Sequence, residues 1–195
     1  MLTSNGSTWL FHGHAIVSAD DFIADAAGQT PASLRNEADW GRFQAELDRA
    51  AVTVLGRLGH EANPNRKRRN RLVLSSAASR IERRRDAWWW NPAEVPLGDA
   101  LAAAAPKGGI VAIPGGMRVF DQFLAAGYDE FHLARAETVV LSEGIPIFSA
   151  VRRGVAAEAV LSARGLAPVK RVMLDPLAQV SLTIWAGQAG SPVAA

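Results

Sequence analysis

Asp39 and Phe43 stand four residues apart in a stretch where Trp40, Phe43, Leu47 and Ala50 recur at helical spacing, so they share one helix face. Ser33 or Asn36 can cap that helix. A carboxyl group beside an aromatic ring can hydrogen-bond, protonate and stack on a flat heterocycle. A helix dipole also favours an acid in the first turn for structural reasons alone. A second segment, Ile110–Ile113, is an apolar run that passes through Pro114-Gly115-Gly116 into the amphipathic stretch Met117–Ala126. Glycines let a backbone approach a ligand closely, and the unpaired N–H groups at the start of the following helix suit a pyrophosphate. A tight turn without a ligand has the same sequence. In a third segment the run Val52–Leu55 delivers Gly56-Arg57 at the carboxyl end of a strand, where an arginine can fork onto a phosphate or simply face solvent.

Other chemistries find less support. His12 and His14 alternate along a strand and share a face, but no third ligand is near them in sequence, so no metal site is expected. His60 and His132 are isolated and read as structural. Arg83–Arg85 followed by Trp88-Trp89-Trp90 has the composition of a single-strand binding surface. Packing of the tryptophans under a loop is the preferred reading, and nucleic acid is not an expected partner. Phosphate-loop, nucleophile-elbow and His-Glu-x-x-His patterns are lacking. The chain has no cysteine, which excludes disulfides, thiolate catalysis and Cys-based zinc sites.

The elements that must position these residues alternate. Strands are expected at Trp9–Ser18, Ala51–Leu55, Leu72–Leu74, Ile110–Ile113 and from Phe131, with helices between them. Val169–Leu174 and Val180–Trp185 read as an antiparallel pair at a sheet edge. The pattern is α/β with a mostly parallel sheet. The length, 195 residues with 49% apolar and 21% charged, fits one domain over 1–195, with 1–8 and 187–195 expected as flexible ends. No apolar run reaches membrane-spanning length and the amino terminus lacks a signal-peptide pattern, so a cytoplasmic protein without membrane contact is expected. The net charge of +2 is uneven: Arg57–Arg85 holds ten Lys or Arg against two acids, a local +8 that points to an anionic partner or to a solvated loop.

In order along the chain, these pieces resemble the dihydrofolate reductase-like superfamily, which includes the reductase domain of riboflavin biosynthesis. The resemblance rests on Ser18-Ala19-Asp20-Asp21-Phe22-Ile23-Ala24, on Glu37 to Phe43, on Leu55-Gly56-Arg57, and on Arg69 through Leu74-Ser75-Ser76. It continues through Ile113–Phe120, Asp129–Leu133 and Gly144-Ile145-Pro146-Ile147-Phe148. It implies a three-layer α/β fold and NADPH as cofactor, held by Gly56, Arg57, Ser75, Gly115, Gly116, Met117, Arg118 and Val119. It implies Asp39 as the catalytic acid and Ala15, Phe43 and Ala134 against a small-molecule substrate, and it allows a homodimer. The implied activity is hydride transfer to a pterin- or pyrimidine-type heterocycle. The alternatives are a 5-amino-6-(5-phosphoribosylamino)uracil reductase and a non-catalytic nucleotide- or nucleic-acid-binding protein. The chain departs from the pattern at Asp21, Gly59, Pro114 and Ala134, which puts folate as substrate in doubt more than the fold.

Overall fold

A computed structural model describes residues 1–4 and 6–187; the remainder of the expected flexible carboxyl end, 188–195, lies outside them. The strands are β1 (Leu2–Ser4), β2 (Ser7–Ser18), β3 (Phe22–Ala24), β4 (Val52–Gly56), β5 (Arg71–Leu74) and β6 (Glu82–Arg84). They continue with β7 (Ala87–Trp90), β8 (Gly109–Ile113), β9 (Glu130–Ala136), β10 (Ile145–Pro146), β11 (Leu166–Asp175) and β12 (Val180–Gly187). The α-helices are α1 (Glu37–Arg49), α2 (Arg57–Ala62), α3 (Leu97–Ala104), α4 (Met117–Ala126) and α5 (Ala157–Ser162).

The main sheet has the order β11-β12-β9-β2-β8-β4-β5-β7-β6. From β9 to β7 every pairing is parallel. The expected antiparallel carboxyl-terminal edge is present, because β11 pairs with β12 and β12 with β9. The opposite edge is antiparallel too, through β6 and β7. The amino terminus differs from the frayed end expected of it: Leu2–Ser4 pairs with Ser7–Trp9, and the Met1 ammonium meets Asp129 at 2.7 Å.

Alternation along β2 separates two unlike faces. Trp9, Phe11 and Val17 enter the main core with Phe120, Phe123 and Phe131, under α3 and α4. Gly13 lies on that same face, where a Cβ would come within 2.3 Å of the Phe131 ring. Phe131 is fully buried and has no room to yield. Gly13→Ala is therefore expected to cost about 2 kcal/mol, the usual scale of overpacking, read as a lower urea midpoint. An unchanged midpoint would show that the ring moves freely.

The other face of β2 carries His12, His14 and Ile16 beneath α1. The helix rule predicts an apolar stripe from Trp40 to Ala50, but only Leu47 of α1 is fully buried and Trp40 is 58% exposed. A polar layer, not an oily one, separates α1 from the sheet.

Asp21 holds a left-handed backbone (φ 70°), which costs a non-glycine residue free energy. Its carboxylate offsets that cost by accepting from Arg135 at 2.6 Å and from the Ala157 N–H at 2.8 Å.

Candidate active site

Asn36 caps α1: its Oδ1 accepts from the Asp39 N–H at 3.1 Å, and its Nδ2 donates to Asp175 at 2.8 Å. The cap satisfies a helix-start donor and ties the start of α1 to the end of β11. From there α1 runs back across β2 and β9. One turn on, Phe43 lies 6.1 Å from His14, ring to ring, and Arg42 donates to Nδ1 of His132. Asp39 is therefore placed toward the carboxyl ends of β2 and β9, where Ile16 and Ala134 are neighbours in register.

Burial pushes the Asp39 carboxyl up to about 6, against a smaller opposing pull from the Arg42 guanidinium. An acid titrating that close to neutrality can both hold and release a proton under working conditions. Burial, with His132 and Arg42 adding repulsion, presses His14 down to about 2, so its ring stays neutral. His14 is 3% exposed, and neither of its ring nitrogens has a hydrogen-bond partner. His132 is held in one tautomer. Nδ1 faces the Arg42 donor, so the proton sits on Nε2, which donates to Glu130 Oε2 at 2.8 Å.

The phosphate-type segments converge as well. Thr53 of β4 stands opposite Ala112 of β8, so Gly56 and Gly115, each three residues further on, leave the sheet side by side. A Cβ on Gly56 would lie 3.4 Å from Val119 of α4. Gly115 and Gly116 both have positive φ, 119° and 66°. A Cβ on Gly115 would meet the Phe120 ring at 3.0 Å, whereas the space over Gly116 is open. No side chain caps α4. The N–H groups of Val119 and Phe120 both reach the Gly116 carbonyl, at 2.8 and 3.0 Å. Val119 is thus not free to serve as the phosphate donor expected of it, and its buried side chain belongs to the core. Met117 and Arg118 keep first-turn N–H groups directed off the helix end.

Arg57 follows Gly56 at this edge and makes an exposed pair with Glu61 at 2.9 Å. An i,i+4 pair of this kind is weak, so an arriving phosphate can take the guanidinium. Ser75 is buried, and its hydroxyl accepts from the Ala77 N–H at 3.3 Å. Its hydroxyl proton is left to donate. These groups fit a dinucleotide phosphate: an open glycine turn, an uncapped helix start and an arginine held only by a weak pair. Ala15 does not join Phe43. Strand alternation turns its side chain toward the main core, and His14 occupies the face that meets Phe43.

Four of the ten cations of the basic segment have acid partners, Arg57 with Glu61 among them. Lys67 and Arg69 pair with Asp48 at 2.9 and 2.6 Å, Arg84 pairs with Glu82, and Arg71 is buried against the Asn63 carbonyl. Arg83 and Arg84 lie over the Trp88 and Trp89 rings at 5.4 and 4.9 Å. Trp90 is buried, with its indole N–H on the Val95 carbonyl. The triple tryptophan is thus accounted for by the β6–β7 hairpin.

Sequence reasoning missed Arg42 and His132 as neighbours of His14, and Glu130 as a neighbour of His12. The alternation Glu130, His132, Ala134 was the available signal, but it acquires meaning only once β9 is known to lie beside β2. A separate cleft of about 590 Å³, lined by Arg135, Lys170 and Trp185 among others, opens on the opposite face of β9 and β12 and holds none of these residues.

No protein-family model matches the chain, and no curated protein matches it by sequence. Solved structures do match it in shape. A candidate riboflavin biosynthesis protein from Shewanella sp. PV-4 aligns with TM-score 0.65 and 19% identity, over 92% of this chain and 99% of its own. Dihydrofolate reductase from Enterococcus faecalis, complexed with NADP(H) and RAB-propyl, gives 0.62 and 19%, over 91% and 95%. The Thermotoga maritima diaminohydroxyphosphoribosylaminopyrimidine deaminase/5-amino-6-(5-phosphoribosylamino)uracil reductase gives 0.63 and 14%. That alignment covers 93% of this chain and only 57% of the longer protein. The fold is the dihydrofolate reductase-like α/β fold. Among the described residues no helix is long and apolar enough to cross a membrane.

Proposed function

We propose that the chain is an NADPH-dependent reductase of a small nitrogen heterocycle, with Asp39 as the proton-handling group. The observation that carries this reading is a half-buried carboxyl group held near pKa 6 at the sheet edge where Gly56 and Gly115-Gly116 emerge, in this fold. NADPH, when bound, supplies the hydride. Gly115, Gly116, Met117 and Arg118 would hold its pyrophosphate, and Arg57 with Ser75 its 2′-phosphate. Phe43 packs on the heterocycle, Asp39 hydrogen-bonds it and delivers the proton to nitrogen, and Ala134 keeps the floor beside Asp39 small.

Two variants of this reading follow from the neighbours' names, with a pterin or a ribosylamino-pyrimidine as substrate. The test is NADPH oxidation at 340 nm with dihydrofolate and with 5-amino-6-(5-phosphoribosylamino)uracil in parallel. Turnover of either supports a reductase and selects the variant; NADPH bound without turnover of any pterin or pyrimidine would overturn the substrate class.

Arg57→Ala is expected to weaken NADPH binding about tenfold, the scale of one charge-assisted contact, with NADH binding unchanged. Equal loss for both cofactors would show that Arg57 does not face the 2′-phosphate.

A further inference from the structure

His12, Glu130 and His132 come from two parallel strands that pair His12 with Glu130 and His14 with His132. One donor atom from each of the first three lies within 4.8 Å of both others. Glu130 Oε2 stands 4.0 Å from His12 Nδ1 and 2.8 Å from His132 Nε2. Four-coordinate zinc, with bonds of about 2.0–2.2 Å, needs donors roughly 3.3 Å apart, so both Glu130 separations lie within an ångström of that spacing.

A second observation points the same way. His12 is 9% exposed, and its Nδ1, which faces Glu130, has no hydrogen-bond partner. His14, its ring 4.6 Å from that of His132, leaves both nitrogens unpartnered at 3% exposure. Buried imidazole nitrogens normally find partners, and a cation held with Glu130 and His132 would give His12 Nδ1 one. Two imidazoles and one carboxylate suit zinc, nickel, copper or iron rather than calcium or magnesium.

We infer that His12, Glu130 and His132 form a binding site for a divalent transition-metal ion in the layer between α1 and the sheet. The site meets α1 at Arg42, three residues on from Asp39, and its test does not depend on the reductase reading. Glu130, with its side chain 40% exposed, provides the route in from solvent. Metal binding moves the His132 proton from Nε2 to Nδ1, with no net proton lost. Arg42 must then release Nδ1, and Glu46, already paired with Arg49 and 4.0 Å from the Arg42 guanidinium, is the acid that can take it as a second partner. Arg42 is therefore a gate that competes with the metal.

The test uses the untagged full chain, freed of metal by chelation, titrated with Co²⁺ by absorption and with Zn²⁺ by calorimetry. Expected is one saturable site per chain, with ligand-field bands of a low-coordinate nitrogen–oxygen complex. His12→Ala, His132→Ala and Glu130→Gln should each weaken binding at least about tenfold, first ligands exceeding the 10–100-fold effect of outer partners. Arg42→Gln should strengthen it. His60→Ala, at a remote histidine, should change nothing. Glu130→Gln, on a partly exposed side chain, keeps the test valid if a histidine variant fails to fold. Absence of saturable binding, or binding indifferent to Glu130→Gln, overturns the proposal.

Discussion

Asp39→Asn is expected to lower kcat at pH 7 by about 10²–10³-fold, the range for loss of a positioned acid, while NADPH affinity stays unchanged. The same substitution should make the protein more stable. Asp39 titrates near 6 in the folded chain against an ordinary value of 3.8. A carboxyl raised on folding contributes fully below the unfolded value and loses that contribution as pH climbs through the folded one. At pH 7 the ionised, half-buried carboxylate therefore opposes folding. The full shift would correspond to about 3 kcal/mol. Partial exposure and the helix dipole at this first-turn position reduce it, so about 1–2 kcal/mol of stabilisation is expected. Urea unfolding at pH 7, beside steady-state kinetics, checks both halves. A variant that keeps full turnover removes Asp39 from the chemistry, and one that loses stability removes the account of its environment.

His14→Phe is expected to stabilise the chain by about 2 kcal/mol at pH 7, because an aromatic ring of similar size removes two buried, unpartnered nitrogens. The gain should widen in acid. His14 titrates near 2 when folded and near 6.5 when unfolded. A base depressed on folding contributes fully above the unfolded value and loses that contribution as pH falls below it, at about 1.4 kcal/mol per pH unit. Asp39 works in the opposite sense between about 6 and 4, so the two slopes offset each other in the wild-type chain. His14→Phe should thus become more stable as pH drops from 6 to 4, whereas Asp39→Asn should become steeply acid-sensitive. Burial also lowers the pKa of His132, which adds to the acid sensitivity. Urea midpoints at pH 4, 5, 6 and 7 in metal-free buffer read these slopes. Parallel curves for the two variants would contradict the opposition.

The legible parts of the molecule were those governed by local rules. The strand-glycine-helix passage at Ile113–Met117, the Asn36 cap and the alternation in β2 are each written within about ten residues, and each formed where expected. The parallel order of the sheet followed from strands separated by helices. What escaped was set by pairing across the chain. β9 had to lie beside β2 before Glu130 and His132 could meet His12 and His14, and no local pattern fixes that register. Trp40 misled for a related reason: helical spacing marks a face, but the polar layer beneath α1 decides which residues of that face are covered. Ala15 sits one residue from His14, and a step of one along a strand exchanges the two faces of the sheet. The Val119 N–H closes the first turn of α4 on the Gly116 carbonyl, a detail that depends on where the helix starts.

The most direct measurement is a titration of the purified chain with NADPH and, in parallel, NADH, followed by quenching of tryptophan fluorescence. A dinucleotide site built on Gly56, Arg57 and Gly115-Gly116 requires saturable binding of NADPH, at least about tenfold tighter than NADH, with the preference abolished in Arg57→Ala. Absence of saturable binding by either dinucleotide would contradict it and leave a dihydrofolate reductase-like fold used for something other than reduction.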